Sequence, residues 1–285
     1  MRTVKGEGTW MNTTAPKLII SDIDGTFLNP HGRVTPRLRD VVGRAVRSGA
    51  QFGLATGRPH RWLLPVLDQL PFSPICVCAN GAVVYEPGTD TVLRAFELTP
   101  EAMGDVVAAV EPLFADVAHG YSVERVGSSA LTPEEECFVV TPDYNPDAWD
   151  SAYAVVTVEE LIAVPAAKLL IRCPSMTSAD MFERIAPVVD PADAHVTYSM
   201  NEGLIEFSHP GVNKATGVSV LAAHYGVEAR DVVAFGDMPN DLEMLAWSGM
   251  GVAMANAAPV VLDAADHVTA SNAEDGVAVV LEHWF

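Results

Sequence analysis

The chain has 285 residues, 49% of them hydrophobic and 19% charged, and its formal net charge is −20 at pH 7. That length can bury one large core or two modest ones, and the apolar fraction argues against long disorder. The acidic balance argues against nucleic acid or an anionic membrane surface as a partner, and it means that a site for any small anion needs local positive charge of its own. The four cysteines, Cys76, Cys78, Cys137 and Cys173, are too few for a dense disulfide framework. Cys76 and Cys78 alternate within an apolar strand pattern and read as small core residues. Residues 1–16 are polar and irregular, without the continuous apolar centre of a signal peptide, and are expected to form a flexible N-terminal extension. No apolar run approaches the ~20 residues that cross a bilayer. The cytoplasm is the expected compartment.

Leu18, Ile19 and Ile20 predict a buried strand of a parallel sheet, stopping at the polar turn Asp22-Ile23-Asp24-Gly25-Thr26. Ligands of open α/β sheets bind beyond the carboxyl ends of the strands. Two carboxylates crowded there are tolerable when a hard cation neutralises them, and an aspartate so held can attack phosphorus. An acidic surface turn is the plainer alternative. A calcium loop is excluded, because that loop needs glycine at its sixth position and glutamate at its twelfth. Counted from Asp22, Gly25 is fourth and Arg33 is twelfth.

Thr35 and Pro36 read as a cap and first-turn proline of a helix reaching about Ser48 and stopped by Gly49. A second strand ends at Ala55-Thr56-Gly57-Arg58, where a hydroxyl beside a glycine suits a phosphoryl oxygen or an ordinary strand-to-helix turn. A third, from Pro74, ends at Asn80-Gly81. Strands and helices in this alternation imply a doubly wound sheet. From Ala82 to Leu98 the pattern becomes a hairpin about Pro87-Gly88. A helix near Pro100–Phe114, strands near Cys137–Thr141 and Ala167–Cys173, and a helix near Ser178–Val189 follow. Strands near His195–Ser199 and Leu204–Ser208 close an α+β insertion, expected as a second domain. A helix then runs from Asn213 to Tyr225, with Lys214 in its first turn, where a cation gains nothing from the helix dipole. A reach toward an anion and a surface lysine both remain open. The strand Val232–Phe235 leads to Gly236-Asp237, with Asn240 and Asp241 at the next helix start. The strand in Gly251–Ala257, a helix at Pro259–Ala264, a short strand and a terminal helix finish the chain.

In order, Asp22-Ile23-Asp24-Gly25-Thr26, Thr56-Gly57-Arg58, Lys214 and Gly236-Asp237-Met238-Pro239-Asn240-Asp241 resemble the motifs of the haloacid dehalogenase-like superfamily of phosphohydrolases. Asn80-Gly81 and the Met254–Ala257 turn are similar to its Cof-like type IIB branch, and the resemblance runs from about Lys17 to the end. Phe27 and Ala215 depart from the pattern without removing a reactive group. The resemblance implies an α/β fold: a doubly wound, Rossmann-like parallel-sheet core (residues 17–82 and 211–285) with an inserted α+β cap domain (83–210). It implies a Mg2+-dependent phosphatase acting on small phosphomonoesters, sugar phosphates or related metabolites, through an aspartyl-phosphate. Asp22 would be nucleophile and metal ligand, and Asp24 the general acid and base, ligating through its backbone carbonyl. Asp237 would be the third metal ligand, with Asn240 and Asp241 in its second sphere. Thr26, Thr56, Gly57, Arg58, Asn80, Asn240 and Lys214 would bind the substrate, and Lys214 would also serve catalysis. The expected partner is a small phosphorylated molecule, with no nucleic acid and no membrane, for a monomer or small homo-oligomer. Two other readings share this fold. A phosphomutase of the phosphomannomutase type would need cationic cap residues such as Arg94, Arg125, Arg172 or Arg184. A catalytically silent binding protein is disfavoured because every reactive position is filled.

Overall fold

The computed structural model of the protein describes residues 14–144 and 152–285, so residues 1–13 of the expected extension lie outside the described residues. The chain enters β1 (Leu18–Ser21), β2 (Gln51–Ala55), β3 (Cys76–Cys78), β4 (Val83–Glu86) and β5 (Thr91–Ala95). Next come β6 (Gly120–Glu124), β7 (Phe138–Val140), β8 (Ala154–Val155), β9 (Lys168–Arg172), β10 (His195–Thr197) and β11 (Leu204–Ser208). The last strands are β12 (Val232–Gly236), β13 (Met250–Ala253) and β14 (His267–Val268). The chain packs as two compact units. One comprises the chain up to Ala55 with Leu64–Ile75 and Val218–Phe285; the other comprises Thr56–Leu63 and Cys76–Gly217.

In the first unit the strands run β14-β13-β12-β1-β2, and their pairings are parallel. Leucine and isoleucine fill β1, which is buried throughout, as a strand covered on both faces requires. From β1 the chain winds outward through β2, and from β12 it winds outward on the other side through β13 and β14. The order therefore reverses between β1 and β12, the switch point where α/β sheets leave a crevice beyond their strand ends. The helix Pro36–Arg47 begins as its sequence dictates: Thr35 Oγ1 accepts from the Leu38 amide at 3.1 Å and proline holds the first turn. Leu38, Val41, Val42 and Ala45 form its buried face.

In the second unit β4 and β5 form the expected hairpin, and β3, expected as a strand of the doubly wound sheet, pairs antiparallel with β4. A separate six-stranded sheet runs β10-β11-β9-β6-β7-β8, antiparallel except between β7 and β8. Alternation along its strands sorts side chains by face. Tyr121, Val123, Leu169, Ile171, Ile205 and Phe207 share one apolar core with the helices Pro100–Val110, Val158–Ile162 and Ser178–Ile185. The other face carries Ser122, Glu124, Lys168, Leu170 and Glu206, with Phe138, Val140, Tyr144, Leu170 and Leu204 forming a small apolar cluster.

Two differences from expectation have local causes. Strand β6 was not anticipated: in Tyr121-Ser122-Val123-Glu124 the polar residues are also buried, on the second face, so no hydrophobic run announces it. The helix expected to reach Val189 ends at Ile185: Ala186 keeps helical backbone as its cap, and Pro187 lacks the amide to continue the hydrogen-bonded turn. All four cysteines are buried and none is in a disulfide, which agrees with Cys76 and Cys78 as core residues. Among the described residues no helix is long and apolar enough to cross a membrane.

Candidate active site

The first unit gathers its acids at the switch point. The register that sets Ser21 beside Phe235 places Asp22 and Asp237 at neighbouring strand ends, and the Asp22 amide donates to the Phe235 carbonyl at 3.0 Å. One carboxylate oxygen each from Asp22, Asp237 and Asp241 lies within 4.8 Å of the others. The three residues are 6%, 6% and 0% exposed. Such crowding of buried carboxylates is unfavourable without a cation.

The surrounding backbone is shaped to this cluster. Gly25 adopts φ +79°, and a Cβ there would overlap the Asp237 carboxylate. The Thr26 hydroxyl donates to Asp237 Oδ1 at 2.7 Å, so its proton orients an acid of the cluster. Asp241 Oδ2 accepts from the amides of Asp237 and Met238 at 2.9 and 3.0 Å, which fixes the turn that follows β12. Asn256 Nδ2 donates to the Gly25 carbonyl at 2.8 Å. Asn240 is buried nearby in sequence, and Asp24 is exposed. A buried set of hard oxygen donors with a glycine cleared for it fits Mg2+ and not a soft metal.

The second unit holds the remaining expected residues. Thr56 is buried; its amide donates to the Val77 carbonyl at 2.8 Å, and its hydroxyl accepts from the Arg58 amide at 3.0 Å. The Asn80 amide donates to the Thr56 carbonyl at 3.0 Å and the Ala79 amide to Arg58 at 2.9 Å, tying the two turns together. Ala79, Asn80 and Gly81 have φ of +50°, +55° and +97°, a left-handed run whose non-glycine members store strain. Lys214 opens the helix Lys214–Tyr225 and is 1% exposed, so the choice left open at that position goes against a surface lysine.

Reading the sequence missed a group that packs against these turns. Lys168 Nζ donates to Glu206 Oε2 at 2.6 Å and to the Gly57 carbonyl at 2.8 Å. Asn80 Nδ2 donates to Glu206 Oε2 at 2.9 Å, and the Ser199 hydroxyl donates to Glu206 Oε1. Burial opposes the Glu206 charge, but Lys168, Ser199 and Lys214 outweigh it and hold the carboxyl below its usual range. Arg61 Nη2 contacts Glu124 Oε2 at 2.6 Å, yet burial of Glu124 prevails over Arg61 and Lys168 and raises its pKa. The available signal was a charge set against apolar strand residues: Lys168 before Leu169-Leu170-Ile171, and Glu206 between Ile205 and Phe207. Of the arginines weighed for a second phosphate, Arg94 lies exposed over the Phe96 ring and Arg184 is exposed at the end of its helix.

Residues 19–281 match the family model described as haloacid dehalogenase-like hydrolase. The chain is 30% identical over 275 residues to a 5-amino-6-(5-phospho-D-ribitylamino)uracil phosphatase of Bacillus subtilis, covering 95% of this chain and 98% of that protein. A haloalkanoate (HAD) superfamily phosphatase from Bacteroides thetaiotaomicron has the same fold, with TM-score 0.77, 22% identity and 99% of both chains covered. So does a HAD subclass IIB sugar phosphatase, with TM-score 0.77, 20% identity and coverage of 94% and 98%. The chain belongs to the haloacid dehalogenase-like hydrolases, of the Cof type. Within that family it is a phosphatase, a phosphoric monoester hydrolase.

Proposed function

We propose that the protein is a Mg2+-dependent phosphatase that hydrolyses small phosphomonoesters, sugar phosphates or related metabolites, through an aspartyl-phosphate on Asp22. The observation that carries this is the buried Asp22–Asp237–Asp241 cluster at the switch point, with Gly25 cleared for it. Asp22 and Asp237 would hold the cation with the Asp24 backbone carbonyl, while Asp241, anchored by two amides, and Asn240 keep the turn in place. Bound Mg2+ would neutralise the carboxylates and draw charge from the phosphoryl oxygens.

The Asp22 carboxylate forms the new bond to phosphorus as the bond to the leaving oxygen breaks, and Asp24 gives that oxygen a proton. Asp24 then takes a proton from the water that attacks the phosphoaspartate, releasing phosphate and restoring both side chains. Its exposure suits a group that exchanges protons with substrate and water. Thr56, Lys214 and the turns at Gly57, Arg58 and Asn80 are assigned to the phosphoryl oxygens, and residues 83–210 to the cap that selects the leaving group.

The test is a panel of metabolite phosphates assayed for released phosphate. It should include 5-amino-6-(5-phospho-D-ribitylamino)uracil, the compound in the Bacillus subtilis relative's name. Release should need Mg2+ and fall to background with a chelator. Full turnover in metal-free buffer, or no release from any phosphomonoester with Mg2+ present, would overturn the proposal.

A further inference from the structure

The reaction just described makes no use of the charges on the six-stranded sheet, and their arrangement points to a role. Glu124 on β6 stands directly opposite Lys168 on β9. Glu206 on β11 stands opposite Leu170, on the same face and diagonal to Lys168. The side chains of Lys168 and Glu206 are 6% and 2% exposed. Charges so placed lose their hydration, and well-packed apolar residues of similar volume commonly serve stability as well or better. What apolar residues cannot supply is directed hydrogen bonding. Lys168 Nζ spans from Glu206 Oε2 to the Gly57 carbonyl, at 2.6 and 2.8 Å. Glu206 in turn accepts from Asn80 Nδ2 at 2.9 Å and from the Ser199 hydroxyl. A Cβ on Gly57 would stand 3.1 Å from Asn80 Oδ1 and 3.5 Å from Ser199 Oγ, so the turn and its supports are closely fitted.

We propose that Lys168 and Glu206 are positioning residues of the phosphatase: they hold the Gly57 carbonyl and the Asn80 side chain, and through them the Thr56–Arg58 and Asn80 turns, in the arrangement that binds the phosphoryl group. The proposal rests on the phosphatase reading given above. A left-handed run such as Ala79-Asn80-Gly81 persists only where its surroundings over-determine it, and the Glu206–Asn80 bond is one such determinant. A network in which each member is hydrogen-bonded rigidifies the groups it touches. Misplacing donors that meet charge developing on the phosphoryl oxygens should weaken the transition state more than the bound substrate.

The experiment compares the wild-type protein, Glu206→Gln and Ser199→Ala with p-nitrophenyl phosphate and Mg2+. Near-ultraviolet circular dichroism measures the folded fraction of each. Glu206→Gln removes the charge at nearly constant shape, and kcat per folded molecule should fall at least tenfold while KM stays within about threefold. Ser199→Ala leaves both charges in place and should lower kcat by a smaller factor, about two- to fivefold. A merely structural role would lower the unfolding temperature and leave kcat per folded molecule untouched, and that result overturns the proposal. If Glu206→Gln does not fold, Ser199→Ala decides alone, an unchanged kcat being the overturning result. Should the wild-type protein release no phosphate from p-nitrophenyl phosphate or from the metabolite panel run beside it, it is the phosphatase reading that fails, and these parallel wild-type assays separate the two cases.

Discussion

Gly25 shows how closely one backbone position constrains the acidic cluster. Its φ of +79° and the overlap that a Cβ would make with Asp237 act on the same site. Gly25→Ala therefore pays a left-handed penalty of about 1–2 kcal/mol and also displaces a carboxylate. The expected outcome is a drop of a few degrees in Tm with at least a tenfold rise in the Mg2+ concentration giving half-maximal activity. An unchanged Mg2+ midpoint would show that the cluster does not hold the ion. The two leading aspartates should separate cleanly. Asp22→Asn should abolish phosphoenzyme, since an amide is a poor nucleophile. Asp24 is exposed, so Asp24→Asn should leave stability within about 0.5 kcal/mol of wild type while turnover falls roughly 10²–10⁴-fold. Rapid-quench trapping of phosphoenzyme and steady-state rates, set beside thermal unfolding, distinguish the two.

The six-stranded sheet carries two buried glutamates whose pKa shifts have opposite sign. Glu206 titrates lower in the folded protein than in the unfolded chain. Its stabilising contribution is present above the unfolded carboxyl pKa, and it is lost as pH falls through the lower folded value. Glu124 titrates higher when folded, because burial outweighs Arg61 and Lys168. Its contribution is fully present below the unfolded value and is lost as pH rises through the raised one. In urea unfolding from acid to neutral pH, Glu206→Gln should flatten the acid loss of stability, whereas Glu124→Gln should reduce the loss on the neutral side. Matching profiles for the two variants would contradict these signs. Lys168→Met, which leaves Glu206 buried without its cation, should cost about 3–5 kcal/mol. Elements such as these mark the limit of what the chain discloses by itself. Thr35-Pro36, the run Leu18–Ile20 and Gly236-Asp237 were legible because cap, strand and turn are each written in a few adjacent residues. Lys168, Ser199 and Glu206 were not, because their meaning arises only when β9 and β11 pair and the Gly57 turn packs on them. The acidic cluster was legible as residue types, but the part Thr26 takes in orienting Asp237 depends on a contact spanning 211 positions.

At the scale of the whole molecule, the net charge of −20 should govern how substrate arrives. Repulsion of a dianionic ester is screened as the Debye length shrinks from ~30 Å at 0.01 M salt to ~8 Å at 0.15 M. The value of kcat/KM for a phosphate dianion should rise over that range, while the binding of a neutral substrate analogue should not depend on salt. A fall with added salt would mean that local cations, not the global charge, dominate encounter. Excising residues 83–210 removes Lys168, Ser199 and Glu206 together, so the turns at Gly57 and Asn80 lose their supports. The shortened protein should lose turnover even with p-nitrophenyl phosphate, whose good leaving group needs no selection. Preserved turnover on that ester would show that those turns stand on their own.

The hydrogen bond from Lys168 to the Gly57 carbonyl joins positions 111 residues apart. It would make the proposed cap and the turn that precedes it a single hereditary trait. A lineage that trades the proposed cap for a relative's should then need a compatible Gly57 and Asn80 neighbourhood. Among descendants of this sequence, substitutions at 168 and 206 should therefore occur together, and in step with changes at 57 and 80.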